Sequence, residues 1–135
     1  MKCANVVLAG LLLCFSVTAV EAAWDPAAYA EEDVLEFYTE NDEGKGHWSK
    51  VWLVVADGDV YIRLGGRAGG RIDENPDKPY VKIRVGGEEF GKVRLDDAPD
   101  KVEQVAELMG EKYWSDVFIK YAAHPYTLKL TPEEN

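Results

Sequence analysis

Two stretches of strict alternation dominate the middle of the chain. Val60, Ile62 and Leu64 alternate with Asp59, Tyr61 and Arg63, and Val81, Ile83 and Val85 alternate with Lys82 and Arg84. A period of two makes each a half-buried strand. Ahead of them, Val51-Trp52-Leu53-Val54-Val55 is continuously apolar and reads as a strand buried on both faces. Asp57-Gly58 and Gly86-Gly87 supply hairpin turns, the second leading into a strand over residues 89–95. Helical spacing is read in two further places. Asp25-Pro26 offers an N-cap and a first-turn proline, and Val34, Phe37 and Tyr38 follow at helical spacing, so residues 25–40 are predicted as a helix ending in the loop 41–46. Asp96-Asp97 with Pro99 opens a second helix whose stripe is Val102, Val105 and Met109, widened by Leu108; Gly110 either ends it or is tolerated inside it. Residues 113–121 predict a shorter helix broken by Pro125, residues 126–130 a last strand, and residues 131–135 a frayed tail. Residues 65–79, rich in glycine and proline, read as a loop. The expected fold is α+β, mainly β: a small antiparallel barrel with an N-terminal helix and one or two helices before the last strand.

The first 22 residues stand apart. Lys2 is followed by an uncharged apolar run over residues 6–20, and Val20-Glu21-Ala22 precedes a cut before Ala23. That is the layout of a secretory signal peptide, and the run is short for a span, which needs about 20 residues. The expectation is a periplasmic or secreted protein with a single domain over residues 23–135 and no stable membrane span after cleavage. Both cysteines, Cys3 and Cys14, lie in the leader. The mature domain therefore has no disulfide and no thiolate, and its core must hold it alone.

Charge then separates partners. With 15 Lys and Arg against 25 Asp and Glu, the chain carries −10, which excludes a general nucleic-acid binder. The charge is unevenly spread: residues 63–94 contain eight basic and five acidic side chains. By strand phase, Tyr61, Arg63, Lys82, Arg84, Lys92 and Arg94 all point away from the core. If their strands are neighbours they line one cationic surface, with the Gly/Arg segment 65–71 at its end. Such a segment suits a small anionic or phosphorylated ligand, because glycine lets backbone amides approach and arginine offers a fork. The alternative is a solvated face whose cations pair with acids of the same chain.

Side-chain catalysts are scarce. His47 and His124 are far apart in sequence and no metal-binding spacing exists, so no metal site is expected. His47 beside Trp48 reads as a loop residue. No nucleophile motif is present, as expected if a cofactor carries the chemistry or if there is none.

Residues 51–63, VWLVVADGDVYIR, then the Gly/Arg segment, Asn75-Pro76, residues 81–87 (VKIRVGG) and residues 127–132 (TLKLTP) resemble the FMN-binding split-barrel superfamily, the fold of pyridoxamine-phosphate-oxidase-like and deazaflavin-dependent nitroreductase-like proteins. The likeness covers roughly residues 34–132. Lys112-Tyr113 and Lys120-Tyr121 both match the Lys-Tyr that follows the helix in such proteins. The resemblance implies a six-stranded split barrel, a homodimer with FMN or a related flavin at its seam, and oxidoreductase chemistry. Carried over by position, it implies that Arg63, Gly66, Arg67 and Arg71, with Lys82, hold the flavin phosphate, and that Trp52 flanks the ring. Leu64 stands where the pattern has Ser or Thr, and Arg71-Ile72-Asp73 lacks its aromatic. The alternative function is a non-catalytic exported binding or interaction module that keeps the barrel without a cofactor.

Overall fold

The computed structural model describes residues 23–113 and 126–133. Six antiparallel strands form a closed barrel in the spatial order β1-β2-β3-β6-β5-β4, the small antiparallel barrel expected, with one strand more than the alternation gave. They are β1 (Val34–Glu40), β2 (Gly46–Ala56), β3 (Asp59–Leu64), β4 (Tyr80–Val85), β5 (Glu88–Asp97) and β6 (Tyr126–Pro132). The hairpin turns sit where the dipeptides put them. Asp57 and Gly58 have φ of 52° and 80°, and Gly86 and Gly87 have 60° and 78°. Two consecutive left-handed residues match the twist of the flanking strands.

The interior is filled by alternate residues of every strand. Leu35, Phe37, Leu53, Val60, Ile62, Leu64, Ile83, Val93 and Leu130 are each 0–1 % exposed. A second apolar layer lies outside the barrel. Helix α3 (Val102–Lys112), entered through a 3-10 turn at Pro99–Lys101, packs Val105 and Met109 on Val54, Ala56 and Tyr61. Strand β2 is thereby covered on both faces at Leu53–Val54, as its unbroken apolar run predicted. Gly110 is tolerated inside α3, whereas Val102 is exposed and drops out of the expected stripe.

Four expectations are corrected. Helix α1 is only Pro26–Tyr29, and the rest of the predicted N-terminal helix is strand β1. Leu35, Phe37 and Thr39 alternate inward there, a period-two pattern that the polar Thr39 disguises. The predicted loop at residues 65–79 contains a helix, α2 (Gly66–Glu74), which lays Ala68 and Ile72 on the barrel core. Its end is fixed by buried Asn75, whose Oδ1 accepts from the Glu40 amide and whose Nδ2 donates to the Tyr80 carbonyl. His47 is part of β2 rather than a loop, and Thr131 and Pro132 extend β6 rather than starting a tail. The further helix expected at residues 113–121 falls, beyond Tyr113, outside the described residues, as does the leader 1–22.

The seams of the barrel are unequal. β1 and β2 pair over seven residues, but β1 meets β4 over three and β2 meets β3 over four. The barrel is thus a β1–β2 hairpin joined by two short seams to a four-stranded sheet, β3-β6-β5-β4.

Candidate ligand cleft

The β2–β3 seam is in register only from Leu53↔Ile62 to Ala56↔Asp59. Beyond it β2 stays with β1, as far as Glu40↔Gly46, while β3 continues with β6 through Arg63↔Thr127 and Leu64↔Tyr126. The strands therefore fork, and the fork holds a cleft of about 330 Å³. Trp52 and Lys50 come from β2, Arg63 and Leu64 from β3, Gly65 and Ala68 from the start of α2, and Met109 from α3. Its walls are mainly apolar, with two cationic side chains. Arg63 is only 8 % exposed. Gly65 is the N-cap of α2, with no acidic residue in the first turn. First-turn amides have no acceptor within their own helix, and the helix dipole adds positive potential there.

Of the residues singled out in the sequence, Trp52 and Arg63 line this cleft. Gly66 and Arg67 follow its Gly65 edge as the first residues of α2, and both are exposed. Arg71 is elsewhere: its Nη1 donates to Ser49 Oγ at 3.1 Å, and it borders a hollow with His47 and Glu74. Lys82 is on β4, which is three strands from β3 in either direction around the barrel, with its ammonium 5.1 Å from the centre of the Tyr38 ring.

The single cationic surface expected from strand phase does not form. The phase was read correctly, but β6 and β5 lie between β3 and β4, so outward residues of β3 and β4 point in opposite directions. Tyr61 is buried under α3 instead of facing solvent. Several of the remaining cations pair with acids of the same chain: Arg94 with Asp96 at 2.9 Å, Lys78 with Asp73 at 2.9 Å, and Arg84 with Glu89 at 3.9 Å. Arg84 also stacks over Trp48, 3.8 Å from the ring centre. Lys50 and Met109 are cleft residues that the sequence reading missed. The signal for Lys50 was its two-residue spacing from Trp52, which puts both on one face of β2.

The α3 wall is fastened at both ends. Lys101 Nζ donates to Asp57 Oδ2 at 3.1 Å in the hairpin turn, and Gln104 reaches the same oxygen. At the other end the Tyr113 hydroxyl lies 2.6 Å from the Asp33 carbonyl and 2.9 Å from that of Leu53, and Lys112 Nζ donates to the Glu32 and Leu53 carbonyls. Burial pushes the Tyr113 phenol up from 10.0 to about 12, and the nearby Asp33 charge adds to the rise. Burial pulls Lys112 below its ordinary value. Below pH 10 the phenol is neutral folded or unfolded, and its contribution to stability is complete. Between pH 10 and about 12 the unfolded chain ionises while the native phenol stays neutral, so stability falls as pH rises. Denaturant melts of the wild type are expected to lose stability across that interval more steeply than those of Tyr113→Phe; equal slopes would exclude the assignment. Among the described residues no helix is long and apolar enough to cross a membrane, and no cluster of His, Cys, Asp or Glu is arranged to hold a metal.

No protein-family model and no curated protein matches the chain. Solved structures do. The heme storage protein HutZ from Vibrio cholerae aligns with a TM-score of 0.59 at 16 % identity, over 78 % of this chain and 84 % of its own. A protein described as a domain-swapped dimer gives 0.54 at 13 %, over 74 % and 80 %. The F420-H2 dependent reductase FDR-A gives 0.50 at 14 %, over 73 % and 94 %. These are split barrels, and six closed antiparallel strands with the β2–β3 fork give this chain the same fold, the one implied by residues 51–63 and 81–87.

Proposed function

We propose that the protein is an exported split-barrel protein that binds a planar, anionic cofactor of the flavin class in the β2–β3 fork, as a homodimer. The observation that carries the reading is the cleft itself: an apolar slot with an indole wall and, at its margin, Lys50, Arg63 and the first turn of α2. Apolar walls suit a conjugated ring, and convergent cations with helix amides suit a phosphate or carboxylate. Trp52 would flank the ring; Arg63 and Lys50, with the amides near Gly66 and Arg67, would hold the anionic group. A flavin bound there would supply hydride or electron transfer. Arg71 and Lys82 have no part in this version of the site. The cleft lies at the small end of the range for small-molecule sites, roughly 300–1,000 Å³, which favours a second protomer as its missing wall. The domain-swapped dimer among the structural neighbours is in keeping with that. The heme storage protein and the F420-dependent reductase both carry large conjugated cofactors in their names, and this supports the class rather than one member of it. Export rests on residues 1–22 alone.

The test begins with protein purified from the cell envelope. The expected product is a chain beginning at Ala23, dimeric by light scattering, that quenches FMN fluorescence on titration. Arg63→Ala should raise the Kd by roughly 10- to 100-fold, the worth of a charge-assisted hydrogen bond, and Lys82→Ala should leave it unchanged. No binding at high micromolar FMN would remove the reading. A second reading, a cofactor-free interaction module, is favoured by Leu64: it replaces the expected Ser or Thr and is 1 % exposed. A dimer that ignores FMN is its signature.

A further inference from the structure

The cleft wall formed by Trp52 is itself held by a second aromatic ring. Tyr113, the C-cap of α3, lies parallel to Trp52, with ring centres 4.4 Å apart and planes within 3°. Its hydroxyl is anchored between the Asp33 and Leu53 carbonyls. Leu53 follows Trp52 in β2, so the ring stacks on one residue while its oxygen is tied to the backbone of the next. Tyr113 is 9 % exposed and does not line the cleft; Trp52 does. One face of the indole is therefore occupied by tyrosine, and only its other face or its edge is offered to a ligand.

We infer that Tyr113 is a positioning residue for the ligand cleft. It fixes the rotamer of Trp52 so that the indole stands ready as a stacking wall, and a planar ligand there extends a two-ring stack to three. The hydroxyl proton, shared between the Asp33 and Leu53 carbonyls, helps to place the tyrosine without using any group that the ligand needs. A pre-set indole adds affinity because its side-chain freedom is lost during folding rather than on binding. The inference rests on the proposed cleft, and it names the residue that sets the cleft's aromatic surface.

The experiment compares wild type, Tyr113→Phe and Tyr113→Leu, with FMN as the probe. Trp52 emission is isolated in each background by subtracting the matching Trp52→Phe protein. Tyr113→Phe keeps the stack and loses the hydroxyl; its Trp52 should resist acrylamide as in wild type, and its FMN Kd should stay within about twofold. Tyr113→Leu keeps apolar bulk and loses the stack. Its Trp52 should become more quenchable, and its Kd should rise about tenfold, the upper worth of an aromatic pair. A folded Tyr113→Leu with wild-type quenching of Trp52 overturns the inference, as does one with wild-type affinity. If Tyr113→Leu does not fold, the phenylalanine variant decides: loss of FMN affinity there with Trp52 shielding intact overturns the role given to the stack. Should wild type bind no FMN, the cofactor reading fails by itself, and the quenching comparison still decides whether Tyr113 sets the indole.

Discussion

Phe37→Ala will lose about 3–5 kcal/mol of stability and Leu35→Ala about 2–5, whereas Val34→Ala will stay within about 0.5. The contrast comes from the strand phase of β1. Leu35 and Phe37 point into the barrel at 1 % and 0 % exposure, and Val34, between Asp33 and Leu35 in sequence, points out at 41 %. Truncating Phe37 removes an aromatic ring from the middle of the core and leaves a cavity that closed, hydrogen-bonded strands cannot collapse to fill. A helix over the same residues would make Val34 a partner of Phe37 and Tyr38 and give the three similar losses. Urea unfolding followed by far-UV circular dichroism separates the cases. Against a total of about 5–15 kcal/mol for a domain, Phe37→Ala puts the protein near its folding limit. Similar losses at Val34 and Phe37 would refute the strand.

The second large effect is at the outer layer. Val105→Asp places a carboxylate where the side chain is 0 % exposed, among Val54, Ala56, Tyr61 and Met109. An unpaired buried charge there costs about 3–5 kcal/mol, so the favourable response is for α3 to leave the barrel. That exposes Tyr61 and Tyr113 and withdraws Met109 from the cleft. The expected results are a lowered urea midpoint and new binding of an apolar dye and, on the proposed cofactor reading, loss of FMN affinity with them. Val102→Asp is the control. It is one turn earlier on the same helix and 45 % exposed, and an acid near a helix N-terminus is well placed, so stability should change by less than about 0.5 kcal/mol. Equal behaviour of the two variants would mean that α3 is not docked through Val105.

What could be read in the chain, and what could not, follows from the range of each signal. Inward and outward phase in β3, β4 and β5 was legible because alternation is local, and both hairpins were legible because Asp57-Gly58 and Gly86-Gly87 are strong turn formers. β1 was missed because Val34, Phe37 and Tyr38 fit helical spacing as well as Leu35, Phe37 and Thr39 fit strand spacing. A polar residue at one inward position tips such a tie. α2 was missed for a different reason: Gly66, Gly69 and Gly70 each weaken a helix by about 1 kcal/mol relative to alanine, and the helix exists because Ile72 and Ala68 dock on the core. Tertiary packing overrides propensity there, and propensity is what a sequence displays. The part of the candidate site that was legible is the part that is local in sequence. Trp52 and Arg63 flank one hairpin, so local reading brings them together. Lys82 was grouped with Arg63 by assuming that strands alike in pattern are neighbours, and no periodicity records that β6 returns from the far end of the chain to lie between β3 and β5.

A ring fastened at two weak joints behaves as a clasp rather than a hoop. The β1–β2 hairpin meets the rest of the barrel over four residue pairs on one side and three on the other. On the three-pair side, Lys82 over Tyr38 and Arg84 over Trp48 bridge the outside like pins. Fewer residue pairs close these two seams than any other in the ring, so amide exchange is expected to be fastest along them.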